Sequence, residues 1–281
     1  MKAQDKMNEI VNNLIIAIEE NKTGLWSKSW IGGIPQNYAS KTQYSGFNVI
    51  SLLFMMEEMN WSSNQFLTFN QIKKIKGAKL KKGSKSVPVF FFKIINKTEM
   101  VDGEEKKESI PLLKFYYVYN LDQVEGIETL SNENKTDIEI DSFIDNCNVK
   151  IINDIEAYYN PTKNFIGIPK INRFHSSEAY YSTLLHELSH STGHKTKLDR
   201  DLSGEFGSES YAYEECIAEL SSMFLCNHLN IKGEEKQAEA YIKGWLVDSL
   251  KANPKLLWKI SSEAQKVLNF LTELQRIEEV A

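Results

Sequence analysis

The stretch LLHELSHSTGH, residues 184–194, constrains this chain more than any other. On an α-helix, residues four apart lie about 40° apart around the axis and one turn along it. His186 and His190 therefore leave one face together and can hold one ion. Glu187 sits beside that stripe, placed to reach a water rather than the ion. Leu184 and Leu188 form a second stripe, available for packing. The spacing fits zinc peptidase chemistry: Zn²⁺ acidifies a water, and Glu187 takes its proton as the water attacks a carbonyl. The competing reading is a surface helix with two solvated histidines. Against it, three of the chain's five histidines fall within residues 186–194, and the preceding AYYSTLL points to a buried helix.

A third protein ligand is needed. A metzincin places a histidine three residues beyond the glycine of the motif; that position here is Thr196, and His194 comes too early. His194 remains in range of the site mouth, as a structural or substrate-side residue or neither. The alternative third ligand is a carboxylate from a later helix. YAYEECIAELSSMFLC, residues 211–226, has helical apolar spacing at Tyr213, Ile217, Leu220 and Phe224, with Glu215 and Glu219 four apart on another stripe. Glu219 is the sole formal charge between Cys216 and Ile231. A carboxylate in such company needs a partner, and the ring N–H of a ligand histidine is a good one. Glu215 is thus the expected ligand and Glu219 the expected support. Glu214, about 100° away, is expected to face solvent but stays open as a ligand. His175 and His228 read as local hydrogen-bonding residues.

The 281 residues suit two domains of ordinary size. No apolar run approaches the ~20 residues of a membrane helix, and the amphipathic N-terminus lacks the apolar core of a secretory signal. Cys147, Cys216 and Cys226 form no Cys-x-x-Cys pair and read as reduced thiols of a cytoplasmic protein. Charge is uneven. Residues 1–125 hold 17 Lys and no Arg against 13 acidic residues, an excess of four positive charges. The remainder holds 16 basic and 25 acidic residues, an excess of nine negative. Two modules with different partners follow: residues 1–125, a linker at 126–141, and residues 142–281.

The pattern predicts an opening helix through Ile18 ended by Asn21–Gly24, and an irregular aromatic loop from Trp26. It predicts helices at 47–59 and 68–77, and strands at 87–95 and 112–121 around the polar connection VDGEEKKES. Then come a helix at 141–147, strand-like pieces VKII and NFIGIP, the two helices already described, and helices near 234–250 and 261–278. The fold class is α+β, with an α+β first domain and a mostly helical second.

Between Asn60 and Thr98 there are nine lysines and no acid. Lys73, Lys74, Lys76, Lys79, Lys81, Lys82 and Lys85 crowd one segment, followed by VPVFFFK and KFYYVYN. Lysines that follow a phosphate backbone, beside aromatics that stack on bases, suit single-stranded nucleic acid; Phe91 and Tyr117 are the expected stacking residues. Phe90 and Phe92, or Tyr116 and Val118, can instead face the core, as alternate strand residues do.

With these residues placed, the sequence resembles the ArdC-type antirestriction proteins of plasmids, conjugative elements and phages. The likeness runs through YSGFNVISLL, LTFNQIKKIKGAKLKKGSKSVPVFFFK and FYYVYNLDQVEGI, then IGIPKINRF, EAYYSTLLHELSHSTGH, YAYEECIAELSSMFLC and AYIKGWL. It implies an N-terminal domain that binds single-stranded DNA, a C-terminal zincin-like metallopeptidase domain, and shielding of incoming DNA from restriction. Two rival expectations stand beside it. One is a regulatory zinc protease that cleaves a repressor. The other is a non-enzymatic DNA-binding protein whose metal is structural.

Overall fold

Met7, Ile10, Val11, Leu14, Ile15 and Ile18 form the buried face of helix α1, Ala3–Glu19. The computed structural model describes residues 2–20, 33–101, 104–127, 137–231 and 240–278. The expected helix end at Asn21–Gly24 and the aromatic stretch through residue 32 lie outside these residues. Strand β1, Gln36–Asn37, leads to helix α2, Phe47–Glu58, which is buried along most of its length. Strand β2, Gln65–Leu67, precedes α3, Phe69–Lys74. A reciprocal cap starts α3: Gln71 N–H donates to Thr68 Oγ1 at 3.3 Å, and Thr68 N–H donates to Gln71 Oε1 at 2.8 Å. Strands β3 (Lys79–Leu80), β4 (Val87–Val101), β5 (Glu104–Asn120) and β6 (Val124–Glu125) complete the first module.

The main sheet has the order β1-β2-β5-β4, and β3 pairs with β6 separately. Strands β4 and β5 form a long antiparallel ribbon from Val87↔Val118 to Val101↔Glu104. The expected polar connection at 101–109 is therefore largely strand. Its register sets Lys97 opposite Glu108 and Glu99 opposite Lys106. This span lacks the apolar alternation by which a strand is read from sequence.

The second module opens with α4, Asp137–Asp145, which begins inside the span read as linker. Ile140, Phe143 and Ile144 are its buried side; residues 128–136 lie outside the described residues. Strands β7 (Lys150–Asn153), β8 (Tyr158–Asn160) and β9 (Phe165–Ile168) form a sheet of order β7-β9-β8, with β7 parallel and β8 antiparallel to β9. Helices α5 (Ser177–Ser191), α6 (Glu209–Leu229), α7 (Ala240–Ala252) and α8 (Lys255–Glu278) follow. Ser176 caps α5 and Ser208 caps α6 through their hydroxyls. Helix α8 starts at Lys255 rather than near 261, because Asn253 Oδ1 accepts the Lys255 N–H at 3.2 Å and nucleates the first turn.

One continuous apolar core joins the two modules. The Phe47 ring of α2 stacks on Trp258 of α8 with centroids 5.3 Å apart, and Phe90 and Phe92 of β4 meet the same indole edge-on. Gly46 N–H donates to Gln265 Oε1 at 3.0 Å. The architecture is α+β in two domains that pack directly on each other. Among the described residues no helix is long and apolar enough to cross a membrane.

Candidate metal centre

Helix α5 is buried on several sides, and its only cleft-facing stripe carries the histidines. His186 and His190 project side by side, with their Nε2 atoms 3.2 Å apart. Helix α6 packs against α5 and brings Glu215 to both rings: Oε2 lies 3.5 Å from His186 Nε2, and Oε1 lies 3.4 Å from His190 Nε2. These three residues form a cluster able to hold a metal ion. Glu215 turns one oxygen to each ring, and one donor atom from each of the three residues lies within 4.8 Å of the others. Tetrahedral bonds of ~2.0–2.1 Å to nitrogen and oxygen require donor atoms about 3.3 Å apart. The 3.2 Å between the two Nε2 atoms matches that spacing, and two imidazoles with one carboxylate are a donor set that suits a divalent cation. The residues fit the metal.

Each imidazole turns its other nitrogen toward a glutamate. His190 Nδ1 is 3.1 Å from Glu214 Oε1, and His186 Nδ1 is 3.5 Å from Glu219 Oε1, at the outer limit of hydrogen-bond range. The expectation that Glu214 faces solvent is corrected. Glu214 is 7% exposed and grips Arg200, which donates from Nε to Oε2 at 2.9 Å and from Nη2 to Oε1 at 2.8 Å. It meets Nδ1 of the His190 ring, whereas Glu215 meets Nε2. Helical spacing predicted its 100° offset from Glu215, but not that the 192–208 loop covers that side.

The electrostatics follow from these contacts. Burial alone would lower the His190 pKa, but hydrogen bonds and charge from Glu214 and Glu215 raise it to about 10. Burial alone would raise the Glu215 pKa, and the two imidazoles override it and hold the carboxyl well below the usual carboxylate range. Burial opposes ionisation of Glu214 too, yet Arg200 and His190 hold its pKa below normal.

The centre lies at the bottom of a cleft of about 370 Å³. Glu187 lines it, 7% exposed, beside His186 and His190. Strand β8 supplies Tyr158 and Tyr159 to one wall, and Asp201, Leu202, Gly204, Ser210 and Tyr211 supply the other. Strand β8 escaped the sequence reading because AYYN is short and has no apolar alternation. His194 does not line the cleft; its Nδ1 pairs with Thr196 Oγ1 at 2.8 Å within its own turn. The three cysteines are unbridged and buried.

In the first domain, Lys73, Lys74, Lys76, Lys79, Lys81, Lys82 and Lys85 are all exposed. They cover a small separate core of Leu67, Ile72, Leu121 and Val124. Lys73 Nζ sits 4.4 Å from the centre of the Phe69 ring, and Lys81 Nζ donates to the Asp122 carbonyl at 2.8 Å. The ribbon separates the two expected stacking residues. Phe91 is opposite Lys114 and Tyr117 opposite Pro88, so they point to opposite faces. Phe91 instead meets Tyr116, with centroids 5.9 Å apart; these rings are 41% and 39% exposed. Phe90 and Val118 are buried, whereas Phe92 is exposed on the face that reaches Trp258.

Known proteins agree with this arrangement. A family model described as a zincin-like metallopeptidase matches residues 138–263, and one described as the N-terminal domain of anti-restriction factor ArdC matches residues 4–119. The metal-free crystal structure of the antirestriction ArdC protein from plasmid R388 superposes with a TM-score of 0.80 at 35% identity, covering 95% of this chain and 97% of that one. Its Mn(II)-bound form gives 0.78 at 33% identity, with the same coverage. DNA primase TraC of Escherichia coli is 29% identical over 98% of this chain, and the chain spans only 20% of that protein's length. A second TraC sequence from Escherichia coli is also 29% identical, with 26% of its length spanned. The uncharacterized protein y4eC of Sinorhizobium fredii is 30% identical over 84% of this chain and 80% of its own length. With both halves matched and the fold shared end to end, the chain belongs to the ArdC-type antirestriction family and carries a zincin-like second domain.

Proposed function

We propose that the chain binds single-stranded DNA entering the cytoplasm through residues 1–125 and carries a zinc-dependent peptidase in the second domain, which begins with α4 at Asp137. The observation that carries the peptidase half is the cluster of His186, His190 and Glu215 in a cleft that Glu187 also lines. These three residues would hold Zn²⁺, with Glu219 steadying His186 and Glu214 steadying His190. When bound, the cation supplies Lewis-acid polarisation of a carbonyl and lowers the pKa of water. Glu187 takes the proton of the attacking water and returns it to the leaving amine. Among the described residues, strand β8 is paired on one side only. Its other edge offers backbone N–H and C=O groups to an extended peptide laid along the cleft. The carboxylates of Glu187, Asp201, Glu214 and Glu215 in the lining disfavour a phosphodiester there, so DNA and peptide use separate surfaces.

The DNA half rests on the lysines from Lys73 to Lys85 and on the exposed Phe91–Tyr116 pair. Lysines neutralise phosphates and free rings stack on unpaired bases. Coating the strand denies duplex-specific nucleases their substrate, whether or not a protein is cleaved. The test uses the full chain with matched single-stranded and duplex oligonucleotides in a fluorescence anisotropy titration. Single strands bind more tightly; equal affinities would remove the stacking reading. In parallel, Glu187→Gln is expected to keep the metal and abolish cation-dependent cleavage of an unstructured protein. Cleavage that survives the substitution would reject Glu187 as the base.

A further inference from the structure

We propose that Arg200 is a positioning residue for His190, acting through Glu214; this rests on the reading of His186, His190 and Glu215 as metal ligands. The guanidinium meets Glu214 with two parallel hydrogen bonds, at 2.9 and 2.8 Å, and the two side chains are 7% and 9% exposed. Such a fork-to-fork pair fixes the plane of the carboxylate as well as its distance. Two further bonds tie Arg200 to the end of α5. Nη1 donates to Thr192 Oγ1 at 2.8 Å, and Nη2 donates to the Ser189 carbonyl at 2.9 Å. Thr192 is itself oriented by donating to the Ser189 carbonyl at 2.6 Å. Glu214, from α6, is thereby locked to the turn of α5 that carries His190.

The same Oε1 that accepts from Arg200 faces His190 Nδ1 at 3.1 Å. Remove the guanidinium, and a buried carboxylate loses its compensating charge and must shift or desolvate unpaired. The tilt and tautomer of the His190 ring therefore depend on a residue that never reaches the cation. The glycine of the motif belongs to this device. A Cβ on Gly193 would stand 3.2 Å from Arg200 Nη2 and 2.8 Å from Leu202 Cδ2. Gly193 thus leaves room for the returning chain, which its own carbonyl fixes by accepting the Arg200 N–H at 3.0 Å. Directly after Arg200, Asp201, Leu202 and Gly204 enter the cleft wall. One anchor sets both the wall and the ligand. Lysine cannot replace it, since a point charge lacks the planar fork.

The experiment compares the full chain with Arg200→Gln, Arg200→Lys, Glu214→Gln and the Arg200→Gln/Glu214→Gln double variant. Mn²⁺ and Zn²⁺ affinities come from competition calorimetry, and the ligand field comes from the visible spectrum of the Co²⁺-loaded protein. Arg200→Gln is expected to weaken metal binding by about 10- to 100-fold and to alter the Co²⁺ bands, with Arg200→Lys falling between it and the parent. The double variant loses no more than the worse single variant, because both cut one chain of contacts. Wild-type affinity and spectrum in Arg200→Gln would overturn the proposal, even with a lowered melting temperature, and so would additive losses. If Arg200→Gln does not fold, Thr192→Val removes one anchor and keeps the ion pair; it must shift the spectrum in the same direction, and an unshifted spectrum rejects the idea. Glu215→Gln separates the two readings. Metal retained there defeats the ligand assignment itself, whereas metal lost there with Arg200→Gln unchanged defeats only the role of Arg200.

Discussion

In the second domain, Glu187, Asp201, Glu214 and Glu215 line one cleft, and Glu187 and Glu214 are each only 7% exposed. In the first, seven lysines stand exposed between residues 73 and 85, over a core of only a few side chains. One region is built largely by burial, and there Glu214 and Glu215 have fixed partners and lowered pKa values. The other is built by accumulation, with exposed charges that act in sum. A buried constellation fails when a single member is removed. An exposed lysine surface loses affinity by small, nearly equal steps.

This contrast can be broken by measurement. The largest effect belongs to the lysine surface as a whole. With 6–10 phosphate contacts, affinity for single-stranded DNA falls by about 10²–10⁴ between 50 and 200 mM salt. A flat salt titration would mean that the lysines only solvate the fold. Next is the centre: Glu215→Gln weakens divalent-metal binding by more than the ~10–100-fold typical of a supporting residue, as measured by metal analysis after dialysis. The parent protein should also release protons when it binds the metal near neutral pH, because His190, with its pKa raised to about 10, carries one beforehand. Metal affinity therefore falls as the pH falls. Calorimetry in buffers of different ionisation enthalpy counts the protons, and a count of zero would contradict the charge arrangement.

Smaller effects sharpen the first domain. Phe91→Ala should cost about 1–3 kcal/mol in binding a single strand, and Tyr116→Ala a comparable amount. Tyr117→Ala, on the opposite face, should cost less. Equal losses at Phe91 and Tyr117 would show that the strand wraps both faces of the ribbon. Smallest of all, Lys76→Ala should lower the slope of log affinity against log salt by about one, with no change in metal content.

The local elements were legible because their signals are local. The spacing of His186 and His190, the buried stripe of α1 and the Thr68 cap each lie within one or two turns of chain. The pairing of Glu215 with both histidines could also be expected, since one helix stripe offers few choices. The ribbon was only half legible, because its far half lacks the apolar alternation that marks a strand in sequence. Tyr116 and Tyr117 differ by one register step, and sequence alone does not say which side of an isolated ribbon is covered.

From the sequence alone it follows that two imidazoles share a helix face, that a carboxylate helix follows, and that the net positive charge lies in residues 1–125. Tertiary structure decided the rest. It turned Glu214 inward onto Arg200, passed the chain over Gly193, and closed the two domains around Phe47 and Trp258. The reason is physical: periodicity fixes which side chains leave a helix or strand together, but a partner from elsewhere in the chain is chosen by packing and burial, which act only once the elements have met.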